Sequence, residues 1–138
     1  MTAFYADASA LVKLVRAENE SPALVAFVQE ADLISSALVL AEVPRAIRRA
    51  TAEDPRLRAD ALLQQADAVL DAVALLPVDD EILTAGGALA EPALRALDAI
   101  HVASAIGVPG IAAFISYDRR QSAVARLAGL RTVAPGPV

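Results

Sequence analysis

The sequence has no cysteine and no tryptophan, one histidine and, among its 12 basic residues, one lysine. Without cysteine there is no disulfide scaffold, and the absence accords with a reducing cytoplasm, the expected location. A structural zinc site is excluded as well, because a lone histidine cannot complete a set of nitrogen and sulfur ligands. A histidine pair for acid–base catalysis is equally missing. Aromatic residues make up only 4% of the chain, which leaves few platforms for stacking on bases. Neither a Gly-x-Ser-x-Gly elbow, a Walker A loop nor a Gly-x-Gly-x-x-Gly fingerprint occurs.

What is present is apolar. Of 138 residues, 57% are hydrophobic and 21% charged, so the chain can fill a core and is not disordered. That length fits one domain over residues 1–138. A net charge of −5 gives no general support for nucleic-acid binding, which would need a local basic patch. No signal peptide is expected, since residues 1–6 carry no basic residue and Asp7 interrupts the apolar run. The 19 residues between Asp98 and Asp118 carry no formal charge, enough to cross a bilayer. Gly107-Val108-Pro109-Gly110 breaks that stretch in the middle, so it reads as a buried helix, a turn and a buried strand, with no membrane span.

Strand and helix signals alternate throughout. Strands are predicted over 3–6, 32–35, 74–78, 111–117 and 131–134. Helices are predicted over 9–16, 22–30, from Ser36 past Glu42, from Asp54-Pro55 to about 73, from Asp79 or Asp80, over 94–106 and over 118–128. Pro44 should bend or end the helix that carries Glu42. Leu57, Ala61, Leu62, Ala66, Val69 and Val73 form a stripe that suits either the core or a partner. Strands apolar on both faces and the absence of hairpin signals imply an α/β domain with a mostly parallel sheet covered by helices on both sides.

In such sheets ligands bind beyond the carboxyl ends of the strands, where strand order reverses. Asp7 follows the first strand and Asp118 the fourth, so if those strands are neighbours both carboxylates face one crevice. Asp98, in Ala96-Leu97-Asp98-Ala99-Ile100, sits in a segment that otherwise wants burial, and such a carboxylate must be paired, protonated or bound to a cation. Each acid has an ordinary reading too. Asp7 and Asp118 are natural helix caps, Asp98 suits a helix start, and Glu42 could pair with Arg45 or Arg49. If the acids converge, two carboxylates about 4 Å apart repel by roughly 4 kcal/mol at an effective dielectric near 20. A hard divalent cation, Mg²⁺ or Mn²⁺, relieves that repulsion.

Four segments together carry a resemblance: Asp7-Ala8-Ser9-Ala10-Leu11, then Ser35-Ser36 with Leu40-Ala41-Glu42, then Leu97-Asp98-Ala99-Ile100-His101, and Ser116-Tyr117-Asp118-Arg119-Arg120. In order and spacing the chain resembles PIN domains, specifically the VapC-type toxin ribonucleases of toxin–antitoxin systems, over essentially its whole length. The resemblance implies a five-stranded parallel sheet and Mg²⁺- or Mn²⁺-dependent RNA cleavage. It places the acidic cluster on Asp7, Glu42, Asp98 and Asp118, gives Ser116 and Ser9 supporting hydrogen bonds, and implies a homodimer and a cognate VapB-type antitoxin. Pro44, two residues after Glu42, departs from the plain helix former expected there.

Basic residues trail three of these acids: Lys13 and Arg16 after Asp7, Arg45, Arg48 and Arg49 after Glu42, Arg119 and Arg120 after Asp118. As a set they would form a phosphate-positioning rim, blind to sequence by itself. His101, alone on an apolar helix, reads as a packed, hydrogen-bonded core residue rather than a general base. Two rival readings remain. A phosphoacceptor domain built on Asp7 would want an acid where Ser9 stands or a lysine late in the chain. A catalytically silent PIN-fold binding or regulatory module would show no metal-linked stabilisation.

Overall fold

Along the first strand, β1 (Ala3–Ala6), Phe4 and Ala6 face one side of a sheet and Tyr5 the other, and all three are buried. This alternation sets the architecture, seen in a computed structural model that describes residues 2–137. Among these residues the order continues α1 (Ala8–Val15), α2 (Ser21–Val28), β2 (Asp32–Ser36), α3 (Val39–Glu53), α4 (Ala59–Asp71) and β3 (Val73–Leu76). It closes with α5 (Asp80–Gly87), α6 (Ala96–Ile106), β4 (Ala113–Ile115), α7 (Arg119–Leu127) and β5 (Thr132–Val133).

The five strands form one parallel sheet in the order β3-β2-β1-β4-β5. Strand order therefore reverses between β1 and β4, with Tyr5 in register with Phe114. On one face Phe4 and Ala6 pack with Leu11 of α1, Leu24 of α2, Val43 and Ile47 of α3, and Leu70 of α4. On the other, Tyr5 and Phe114 pack with Val102 and Ala105 of α6 and Val124 of α7. Each layer removes large aliphatic or aromatic side chains from water, at roughly 1.5–3 kcal/mol for each one fully buried.

Several local expectations are corrected. Pro44 does not end its helix: α3 runs on to Glu53. The proline lies early in the helix, where only the Leu40 carbonyl loses a partner, and Leu40 is exposed to water, while buried Val43 and Ile47 anchor the helix on either side. Asp54-Pro55 does not start α4. Asp54 is the C-cap of α3, and its carboxylate accepts from the Arg56 backbone N–H at 3.1 Å and pairs with the Arg56 side chain at 3.0 Å, making a turn before α4 begins at Ala59. Core packing takes much of the α4 stripe, with Ala66 buried and Leu62 and Val69 against the same cluster; Val73 belongs to β3, and Ala61 is exposed. The uncharged stretch resolves into α6, a turn over 107–110 with Gly110 at φ 80°, and β4. No helix among the described residues is long and apolar enough to cross a membrane.

Candidate active site

β1 ends at Ala6, and the next residue turns the chain into α1. Asp7 is the N-cap: its Oδ1 accepts from the Ala10 backbone N–H at 3.1 Å and from Ser9 Oγ at 2.6 Å. Its Oδ2 accepts from Ser116 Oγ at 2.6 Å, just past the end of β4. Ser9 Oγ in turn accepts from the Tyr117 backbone N–H at 3.0 Å, and Ser116 Oγ from that of Asp118 at 3.0 Å. The two serines thus lace β1 to β4 at the reversal point. Asp7 is only 3% exposed. Burial pushes its carboxyl pKa above the usual range, and the bonds from Ser116, Ser9 and Ala10 offset part of that rise.

Asp118 caps α7, accepting from the Gln121 backbone N–H at 3.0 Å, and its side chain is open to solvent. Asp98 lies half-buried in the first turn of α6. Burial raises its carboxyl pKa, and the nearby charges of Asp118 and Glu42 raise it further. Glu42 is in the first turn of α3. All four acids therefore stand at helix N-termini, where the helix dipole favours negative charge. The ordinary capping reading of Asp7 and Asp118 is correct, and it does not compete with a role at a site.

Glu42 does not pair with Arg45 or Arg49. Its Oε1 lies 2.6 Å from Nε2 of His101, which is 1% exposed, and His101 Nδ1 lies 2.8 Å from the Tyr5 hydroxyl. Both ring nitrogens of His101 are engaged, so it has no free nitrogen for general-base work.

A groove of about 720 Å³ opens between α1 and α3, with Ser9, Glu42, Leu97, Tyr117 and Asp118 on its walls. A recess of about 370 Å³ on the other side of Asp118 is lined by Arg95, Asp98, Asp118 and Arg120. Asp118 is common to both, and buried Asp7 lies behind it through Ser116. The acids occupy one corner of the molecule without closing into a cage: among the described residues no three His, Asp or Glu side chains are arranged to hold a metal ion. The donor set is nonetheless all oxygen, and Mg²⁺ needs only one or two direct carboxylates, its remaining ligands being waters and substrate oxygens.

Arg45 and Arg49 line the groove one and two turns after Glu42. Arg48 does not, because one residue's rotation carries it off that helix face. Lys13 lines the groove but is held by Glu18 at 3.4 Å and Glu20 at 3.2 Å, with its ammonium 4.8 Å from the Tyr117 ring centroid. Arg119 faces a separate groove beside β5, and Arg120 reaches the Ala93 carbonyl at 3.3 Å.

The sequence matches the PIN domain family over residues 4–127. The chain belongs to the PIN domain family. Within it, relatives named as VapC ribonucleases match almost end to end. Ribonuclease VapC35 of Mycobacterium tuberculosis is 38% identical over 96% of both chains. Ribonuclease VapC46 of the same organism is 39% identical, covering 98% of this chain and 99% of the relative. Among solved structures, M. tuberculosis VapC20, described as a sarcin-ricin loop cleaving toxin, superposes with a TM-score of 0.71 at 19% identity over 96% of this chain and 99% of that one. VapBC2 from Rickettsia felis, bound to a DNA fragment from its promoter, gives 0.68 at 10% identity over 97% and 99%. These structural likenesses support the α/β PIN fold.

Two residues of this PIN domain were not singled out from sequence as part of the site. Gln121, fully buried, places its Oε1 3.0 Å from Ser116 Oγ and donates from Nε2 to the Asp98 carbonyl at 3.2 Å, tying α7 to α6. Its signal is the Asp118-x-x-Gln121 capping-box spacing. Arg95, just before α6, faces Asp98 across the recess; only its position three residues ahead of Asp98 hints at this.

Proposed function

We propose that this PIN domain is the toxin of a type II toxin–antitoxin system, acting as a single-domain, Mg²⁺- or Mn²⁺-dependent endoribonuclease. The observation that carries the reading is that Asp98, Asp118 and Glu42 stand at one corner of the sheet beside buried Asp7 and that, among the described residues, no arginine or lysine lies within ion-pair reach of any of the four. Unneutralised acids in one corner call for a cation. One or two of Asp7, Asp98 and Asp118 would hold it directly and the rest through its waters, with Glu42 beside them. A bound divalent ion there supplies polarisation of a phosphoryl oxygen and a water of lowered pKa.

The chain's own residues do the remaining work. Ser9 and Ser116 fix both oxygens of Asp7, so its carboxylate cannot swing away. Arg45 and Arg49 on one side of Asp118, and Arg95 and Arg120 on the other, hold backbone phosphates and so align an RNA strand across the acids. Exposed Leu97 and the apolar wall of the groove suit the covering segment of a VapB-type antitoxin, and the family pattern favours a homodimer in the cytoplasm.

Purified protein incubated with total RNA should cut it in Mg²⁺ or Mn²⁺, and EDTA should stop the reaction. Asp98→Asn should lose cleavage by about 10²–10³-fold, the scale of one preorganised electrostatic group, while keeping its fold. Cleavage retained in Asp98→Asn would remove the site assignment. A silent binding module would cut nothing under any condition.

A further inference from the structure

We infer that Tyr5 and His101 are positioning residues that hold Glu42 in its working orientation through a one-way hydrogen-bond relay from the core to the groove. The inference rests on the proposed ribonuclease site and adds two residues to it.

The geometry is tightly constrained at the inner end. Tyr5 is fully buried on the central strand β1, stacked on Phe114 at 5.4 Å between ring centroids with the planes 6° apart. His101 meets the Tyr5 ring edge-on at 5.9 Å and 77°. Neither ring can turn without disturbing the core. At the outer end, a carboxylate only accepts, so the 2.6 Å contact with Glu42 puts a hydrogen on His101 Nε2. In the neutral ring Nδ1 is then bare and accepts the Tyr5 hydroxyl at 2.8 Å. Donors and acceptors thus align in one direction: Tyr5 O–H to Nδ1, then Nε2–H to Glu42 Oε1. The Glu42 carboxylate selects the tautomer, and Tyr5, donating to the bare Nδ1, holds the ring in place against it.

A packed core histidine would account for burial and satisfied nitrogens. It does not account for the choice of partner. Glu42 has Arg45 and Arg49 one and two turns along its own helix, where an ordinary surface ion pair would form, and among the described residues it pairs with neither. It reaches inward instead to a histidine 59 residues away. Its Oε2 has no hydrogen-bond partner among the described residues and stays available to the groove, where the side chain is 20% exposed. Holding one oxygen while leaving the other open is what a water-orienting carboxylate requires. His101 also lies one turn after Asp98 on α6, so a single helix sets two of the four acids.

The chain's only histidine gives an unobscured reporter. Nitrogen-15 NMR of the metal-free protein should show His101 protonated at Nε2 and bare at Nδ1, and Tyr5→Phe should shift the Nδ1 resonance while Nε2 keeps its hydrogen, with a lowered kcat. In cleavage assays, His101→Leu should lower kcat by about 10–100-fold, the usual cost of losing an outer partner, with KM nearly unchanged. His101→Gln, whose amide N–H can stand at the Nε2 position, should recover part of that loss. Adding His101→Leu to Glu42→Gln should cost little more than Glu42→Gln alone. A purely structural histidine predicts a lower Tm with unchanged kcat, and losses that add in the double variant; either result overturns the relay, as does a ring protonated at Nδ1 only. Should His101→Leu fail to fold, the Tyr5→Phe and His101→Gln results decide the matter alone. Full activity in both Asp98→Asn and Glu42→Gln would instead overturn the underlying site.

Discussion

Ser116 donates to Asp7 across 109 residues of chain at 2.6 Å, and the same oxygen accepts the backbone N–H of Asp118 at 3.0 Å. One hydroxyl therefore joins the acid after β1 to the acid after β4, at the point where strand order reverses. The site is held together there as much as it is built there. Because the carboxylate is buried, that hydroxyl also replaces the water Asp7 gives up on folding.

Ser116→Ala should therefore destabilise the protein by about 1–3 kcal/mol, the range for leaving a buried polar group short of a partner. Urea unfolding measures this, and Ser116→Thr, which keeps the hydroxyl, should restore most of the loss. Equal stability of the alanine variant would show that water takes over the bond.

Asp7 makes stability depend on pH in a definite direction. Burial raises its folded pKa above the ordinary 3.8, so the folded state holds a proton that the unfolded state releases. Its contribution is therefore greatest at low pH and is lost as pH rises from about 3.8 through the raised folded value. Asp7→Asn removes that loss. Its amide can donate to Ser116, which then turns its own hydrogen to Gln121 Oε1, 3.0 Å away. The variant should be more stable than the wild type at neutral pH, with the advantage shrinking toward pH 4, and inactive on RNA. Thermal melts across pH 4–8 test the direction; a gap that widens on acidification would contradict it.

Mg²⁺ or Mn²⁺ should stabilise the folded protein, by about 2.7 kcal/mol at a free concentration a hundred times Kd. Asp98→Asn should blunt that gain, and EDTA should reverse it. A wild-type melt indifferent to both ions would favour the silent-module reading.

The arginines of the groove should show in the salt dependence of RNA binding. Each phosphate contact removed lowers the slope of log K against log salt by about 0.7 for a single strand, so Arg45→Ala with Arg49→Ala should lower it by about 1.4. Arg48→Ala, off the groove-facing side of α3, should leave it unchanged. A drop for Arg48 equal to that for Arg45 and Arg49 would mean the strand lies elsewhere.

Much of this was legible in the chain itself. Strands apolar on both faces imply the parallel sheet, and acids directly after the first and fourth strands suit a crevice only if those strands are neighbours, which the order β3-β2-β1-β4-β5 makes them. Local signals misled where one residue pair serves two purposes. Asp54-Pro55 looks like a helix start, but Arg56 captures the Asp54 carboxylate and makes it a helix end. Pro44 looks like a break, yet so early in α3 it costs one hydrogen bond and the helix runs on to Glu53. The partner of Glu42 was beyond reach for a different reason: a pairing across 59 residues depends on how α3 and α6 dock on opposite faces of the sheet, and no local pattern encodes that.

The most direct test is the anomalous scattering of Mn²⁺ in crystals grown with millimolar manganese. A peak bonded to Asp98 and to at least one of Asp7 and Asp118 is expected, absent in Asp98→Asn crystals treated alike. Well-ordered acids with no peak between them, or a peak bound elsewhere on the molecule, would contradict it.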